Sequence, residues 1–311
     1  MNDKADTSTV GYPIRVVAQR TGLTTPVIRA WERRYDAVSP SRSSAGQRVY
    51  SEADIRHLQL LAGLVKVGHG IGSIARLSTD RLAELADQEV AKPGEAAQPT
   101  LQAEVDEAMA FVEALQADEL ERLLMRAAVT FRTEELIHGI LVPLLREIGS
   151  GWQSGRFGPG SEHVASVAMR RFLEWLSTTV QVDTSSPVVV TGTPAGQRHE
   201  FGALLAGLVA ADEGWQVRFL GPDLPGGEIA RSAEVYGAEV VALSALHPVM
   251  SNGQVEEVAV LRNLLPPSTN LIIGGPGAAP FVSTWRESHI LWYTDLEAYR
   301  AGLRSLRPHI G

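Results

Sequence analysis

The 311-residue chain contains no cysteine. That absence removes disulfides, thiolate metal centres and cysteine nucleophiles together. Long apolar runs are missing too. None approaches the roughly 18 residues that a membrane-spanning helix needs, and the opening MNDKADTSTV has no signal-peptide core. The expectation is a cytoplasmic protein with no membrane partner. No internal repeat or low-complexity tract appears. Aromatic residues make up only 6%, against 44% hydrophobic and 21% charged, the balance of an ordinary globular protein. The length allows two or three domains, each with its own core.

The net charge of −8 argues against nucleic acid until its distribution is considered. Residues 11–76 hold ten Lys/Arg against four Asp/Glu, so the acidic excess belongs to the remainder. A basic module on an acidic body is compatible with DNA binding. Tyr12–Arg20 has a helical apolar pattern, Thr21-Gly22 breaks it, and Thr24-Thr25-Pro26 opens a second helix with a hydroxyl cap and a first-turn proline. Two short helices joined through a glycine turn read as helix-turn-helix. A small-residue turn, Ser39–Tyr50, follows with Arg42 and Arg48, and then a capped helix from Ser51.

Three elements in this stretch, Ile28-Arg29-Ala30-Trp31-Glu32-Arg33, Gly46-Gln47-Arg48-Val49-Tyr50 and Asp54-Ile55 with Leu58, agree in order and spacing. Thr25–Leu77 resembles the winged DNA-binding domain of the MerR family. The resemblance implies double-stranded DNA as partner, a two-fold operator, and self-association as dimer or tetramer. It places Arg15, Thr25, Arg29, Trp31 and Arg34 toward the DNA, with Arg42, Arg48 and Tyr50 on the wing against the backbone.

The expected division runs as a DNA-binding domain at 11–82, a linker at 83–100, a four-helix bundle at 101–182 and an α/β domain at 186–311. Ala86–Thr100 carries two prolines and a glycine with Val90 its one large aliphatic residue, the composition of a loose linker. Leu101–Leu115, Ala117–Ala128, Thr133–Trp152 and Ser161–Val180 each show apolar residues at three- and four-residue steps, which predicts the bundle. The default place for Trp152, Phe157, Phe172 and Trp175 is its core. From Pro187 the pattern alternates strand and helix, which predicts a doubly wound parallel sheet. The fold class expected is therefore α plus α/β in several domains.

Within that last domain, TGTPAGQRHEFG (Thr191–Gly202) delivers His199 at the carboxyl end of a strand, where open α/β sheets bind ligands. Ser244-Ala245-Leu246 ends a second apolar run after 41 intervening residues, and Gly274-Gly275 closes a third after 27 more. This set resembles the cobalamin-binding domain of methionine synthase, the cobalamin mutases and their regulatory relatives, whose motif is Asp-x-His-x-x-Gly, Ser-x-Leu and Gly-Gly. The resemblance implies His199 as lower ligand of cobalt, Ser244 and Leu246 as the slot for the displaced base, and Gly274 and Gly275 as the floor under the tail. Gly202 allows close backbone approach. Gln197 stands where the family has a carboxylate. An amide can accept the imidazole N–H but brings no charge, so a weaker His–cobalt bond is expected.

Upstream, Trp152 is followed after nine residues by Glu162-His163. Placed before such a domain, this arrangement is similar to the signature of the CarH/LitR type of light-sensing MerR-family repressors, which use adenosylcobalamin. The resemblance implies that Trp152, Glu162 and His163 enclose the adenosyl group. Gln153 departs from it, because a histidine follows the tryptophan in that type and captures cobalt after light. Glutamine is a poor cobalt ligand, so that adduct is not expected unless His163 or His138 substitutes. The expected function is a cobalamin-dependent, light-responsive repressor that is not an enzyme. Two alternatives stay open at this point: a regulator sensing cobalamin or another tetrapyrrole without light, and a corrinoid carrier or mutase subunit. A cysteine-based metal or redox sensor is excluded.

Overall fold

A computed structural model describes residues 11–43, 46–90, 100–177 and 186–307, and the chain forms two compact units, Met1–Thr179 and Val180–Gly311. The polar lead at 1–10 and the linker residues 91–99 lie outside the described residues, as does the Gln153 side chain.

In the first unit, α1 (Ile14–Thr21) ends at Gly22, whose φ of 72° needs no Cβ. α2 (Thr25–Tyr35) is capped by the Thr24 hydroxyl, which accepts from Val27 N. The wing is a two-stranded antiparallel ribbon, β1 (Ser41–Arg42) and β2 (Arg48–Val49). Ser51 and Asp54 form a reciprocal capping box at the start of α3 (Glu52–Lys66). α4 (Ile71–Ile74) and α5 (Thr79–Val90) complete this part. The linker was expected from residue 83, but α5 continues to Val90. Nothing in Ala83–Val90 breaks a helix, the first proline being Pro93, and Glu89 meets His69 at 3.3 Å.

The bundle consists of α6 (Leu101–Glu113), α7 (Ala117–Thr130), a third rod, and α10 (Pro159–Ser177). The third rod is composite: α8 (Thr133–Glu135), a π-helical Leu136–Leu141, and α9 (Val142–Gln153). Pro143 has no N–H to give to Gly139, and Val142 N–H reaches back five residues to Ile137 O. α3 packs on α7 and α2 on α10, so the DNA-binding part is seated on the bundle as well as tethered to it.

In the second unit, five parallel strands lie in the order β4 (Gln216–Phe219), β3 (Val188–Gly192), β5 (Val240–Ser244), β6 (Asn270–Gly274), β7 (Leu291–Tyr293). α11 (Phe201–Asp212) packs with α15 (Leu296–Leu306), and α12 (Gly226–Tyr236) packs with α13 (Asn252–Leu264). A short α14 (Val282–Glu287) precedes β7. Strand β3 is the first of this sheet and pairs on both sides, with β4 and with β5, so the chain direction switches there. The carboxyl ends of β3 and β5 therefore flank the crevice in which such sheets take ligands. β5 is buried throughout, and Val241 and Leu243 on one of its faces join Ile229, Val258, Ile273 and Trp285 in one core.

One carboxylate in the bundle is out of place by polarity. Glu104 is buried on α6 and its partner Arg126, on α7, stands 3.2 Å away. Burial raises the Glu104 pKa, and Arg126 offsets this only in part. A carboxyl held above its ordinary value contributes stability that is complete below that value and is lost as pH rises through the raised one. Glu104→Gln should therefore flatten the rise in stability on acidification. Arg126→Met should cost about 3–5 kcal/mol, because it leaves a buried carboxylate without its cation. Urea denaturation between pH 5 and pH 8 checks both.

Candidate functional site

The rim of the second unit is built on the loop after β3. Gly196, at φ 79°, gives its N–H to Asp223 Oδ1 at 2.7 Å. The Asp223 N–H donates to the Thr193 hydroxyl oxygen at 2.9 Å, and that hydroxyl donates to Gln197 O. Gln254 Nε2 donates to Ala195 O at 2.7 Å from the start of α13. A loop fastened on two sides in this way holds its side chains in place.

Gln197 is fully buried. Its Nε2 donates to Pro248 O at 2.9 Å, which fixes the amide with Oε1 on the other side. Among the described residues, that Oε1 is buried without a hydrogen-bond partner. Buried acceptors are nearly always satisfied, so one left open implies a missing donor. His199, two residues on, is exposed. The fastening partner Pro248 and the neighbouring His247 were not singled out from the sequence. His247 is exposed, with its ring centroid 6.0 Å from that of His199. No local pattern marks it; only the sheet order brings the loops after β3 and β5 together.

The three sequence elements converge here. A Cβ on Gly202 would lie 2.2 Å from Ser244 Oγ and 3.3 Å from a Leu246 methyl, so only glycine lets α11 start against the end of β5. Ser244 is buried and Leu246 half-buried. Ala245 N donates to Gly274 O at 2.9 Å, and a Cβ on Gly275 (φ 97°) would lie 2.4 Å from Ala245 O.

In the first unit, Trp152 stands 49% exposed near the end of α9, out of the core where an indole defaults. Phe172 and Trp175 do occupy the core, stacked at 5.8 Å, and Phe157 is half-buried against Gly151. Glu162 accepts from the Ser166 hydroxyl at 2.8 Å and meets His163 Nδ1 at 3.1 Å. These contacts hold both side chains at the start of α10, while His163 remains exposed.

The DNA-binding part corrects two expectations. Trp31 and Tyr50 are 1% and 0% exposed, so neither ring can lie against nucleic acid. They face the apolar interior of the module, where their large apolar area is worth more than at the surface. Glu32 links α2 to the wing, accepting from Arg48 Nε at 2.8 Å and from the Tyr50 hydroxyl at 3.1 Å. Burial, followed by the Glu32 carboxylate, pushes the Tyr50 hydroxyl well above its ordinary pKa. Arg29 and Thr25 are half-buried, and burial lowers the Arg29 guanidinium from its usual value. Arg15, Arg34 and Arg42 are exposed, as is Arg33.

Comparison with known proteins agrees with this assembly. The MerR HTH family regulatory protein pattern matches residues 12–80, and the B12 binding domain pattern matches residues 105–177. The HTH-type transcriptional repressor CarA of Myxococcus xanthus is 30% identical over 270 residues, covering 85% of this chain and 86% of CarA. The chain belongs to the CarA family of MerR-type repressors. CarH of the same organism is 28% identical over 269 residues, covering 86% of this chain and 89% of that one. The structure of the Methanosarcina barkeri monomethylamine corrinoid protein superposes with a TM-score of 0.53 at 16% identity. It covers 66% of this chain and 100% of that chain, a likeness of fold alone. As a CarA-family member the chain is a DNA-binding transcriptional repressor with a B12-binding segment. The two relatives that cover 85% and 86% of the chain are both transcriptional repressors.

Two outcomes follow for the CarA-family chain. Arg34→Ala and Arg42→Ala should each weaken DNA binding and reduce its log–log salt slope by about 1, whereas Trp31→Ala should destabilise the module by about 3–5 kcal/mol. Fluorescence anisotropy across a salt series, with thermal melts alongside, separates the two classes. Gln197→Glu sets a carboxylate against the Pro248 carbonyl, 2.9 Å from the present donor. It should lower stability by about 1–3 kcal/mol through two opposed acceptors, read by urea denaturation of the cobalamin-free protein.

Proposed function

We propose that the chain is a repressor whose grip on DNA depends on adenosylcobalamin and is released by light. The observation that carries this reading is the buried Gln197 Oε1, without a hydrogen-bond partner among the described residues, two positions along the loop from the exposed His199 imidazole. An acceptor positioned there suits the second N–H of an imidazole whose other nitrogen binds metal. The close approach of Gly202 to Ser244 and Leu246 suits the passage of a flat group beside backbone, so the residues present fit a corrinoid.

In this reading His199 would supply the imidazole that binds cobalt, and Gln197 would fix its tautomer. The amide lends the imidazole less basicity than a carboxylate would. Ser244 and Leu246 line the base slot, and Gly274 and Gly275 underlie the tail. By the resemblance, the exposed indole of Trp152 and the Glu162–His163 pair would be the residues offered to the adenosyl group. When bound, the group supplies a cobalt–carbon bond that light can break. Self-association of the loaded chain presents several DNA-binding modules to a two-fold operator, and linked weak binders gain avidity without any new DNA contact. The domain limits adopted are 11–90 for DNA binding, 101–182 for the bundle and 186–311 for the α/β domain.

A second reading, corrinoid sensing without light, is favoured by Gln153, which replaces the histidine expected after Trp152. One experiment decides. Size-exclusion chromatography and operator binding with adenosylcobalamin are measured in darkness and after green light. A smaller species and weaker DNA binding after light are expected. Identical behaviour in both states removes the light response. His199→Ala should lose the imidazole-ligated absorption spectrum, and retention of that spectrum would remove the assignment of His199.

A further inference from the structure

His247 takes no part in the function proposed above, yet its place is defined. It follows β5 by three residues and stands on the loop whose Pro248 carbonyl receives Gln197 Nε2 at 2.9 Å. Gln197 is two residues from His199, so one hydrogen bond fastens the two histidine-bearing loops to each other. Further bonds fix each loop separately. Gly277 N donates to Ala245 O at 2.9 Å and Met250 N to Gly277 O at 3.0 Å on one side, and Gly196 N to Asp223 Oδ1 at 2.7 Å on the other. The separation of the two loop backbones that carry the imidazoles is therefore set by the fold.

The separation of the rings themselves is chemically informative. Two imidazoles that share one tetrahedral dication at metal–nitrogen distances of about 2.0–2.1 Å have ring centres roughly 5–6 Å apart. The His199 and His247 centroids are 6.0 Å apart with ring planes inclined at 55°. Both rings are exposed, and among the described residues neither makes a hydrogen bond or ion pair that would have to be broken. The nearby cation Arg198 is engaged by Asp223 at 3.6 Å.

We propose that His199 and His247 together chelate a divalent transition-metal ion of the zinc or nickel class in the corrinoid-free protein. Imidazole pairs select these ions over calcium and magnesium, which prefer oxygen ligands. No group of three or more His, Cys, Asp or Glu residues suited to a metal occurs among the described residues. The remaining positions on the ion fall to water, which makes this an open, exchangeable site. The site's consequence, resting on the cobalamin reading, is competition: the metal occupies the imidazole that the cobalt requires, so metal raises the corrinoid concentration needed for loading.

The test begins with calorimetric titration of nickel chloride into the full-length, corrinoid-free chain. Native protein, His199→Ala, His247→Ala and the control His289→Asn are compared. Both alanine changes fall on exposed rings and leave the packing alone. Loss of one ligand should weaken nickel binding at least about tenfold, no less than the loss of a mere supporting partner costs, in both alanine variants and not in the control. Undiminished binding in either alanine variant, or no binding by the native chain, overturns the pair. Hydroxocobalamin is then titrated with and without nickel. Weaker loading in nickel for the native chain, absent in His247→Ala, supports the competition, and equal loading overturns it. The calorimetric arm contains no corrinoid, so its failure is distinct from failure of the cobalamin reading.

Discussion

The rim of the α/β unit depends on one side-chain amide. Gln197 is buried between two loops and can satisfy only one of its two polar ends from the protein itself, the Nε2 end, by donating to Pro248 O. A carboxylate in its place would face a carbonyl and gain nothing there. An apolar residue would leave Pro248 O without this donor. The amide is thus the group that matches an acceptor on one side and an incoming donor on the other. Its orientation follows from the carbonyl it meets. The open acceptor, the exposed imidazole of His199 and the nearness of His247 all descend from that arrangement.

A comparable economy appears at the DNA-binding module, where one carboxylate links two elements. Glu32 binds the Arg48 guanidinium and the Tyr50 hydroxyl, so the wing is fixed to α2 through side chains of its own second strand and the residue after it. This changes what the motif means. Trp31 and Tyr50 are buried and build the module, while Arg34 and Arg42 stand exposed on its surface. A sequence motif mixes both kinds of residue, and burial separates them.

Much of the fold could be read directly. The apolar strands at Val188–Gly192, Val240–Ser244 and Asn270–Gly274, alternating with helical segments, specify a parallel sheet because such strands are covered on both faces. The capping signals at Thr24 and Ser51 located their helices through backbone donors that must be satisfied locally. The linker was read too long because low apolar content was taken for loop, although Ala83–Val90 contains no residue that breaks a helix. Thr133–Trp152 read as one helix, since an apolar period does not register the shift that Pro143 brings with it.

The sequence by itself determined the chemistry on offer: no thiol, a basic module at one end, one histidine in a glycine-bearing loop, and a serine and a glycine pair spaced to follow it. Those are properties of composition and interval, and local physics suffices to express them. Tertiary structure alone decided which groups meet. Trp31 went inside and Trp152 outside because packing, not residue type, sets burial. His199 came to lie beside His247, and Gln197 against Pro248, because strand order makes neighbours of loops about fifty residues apart, and no interval along a chain encodes a distance across a sheet.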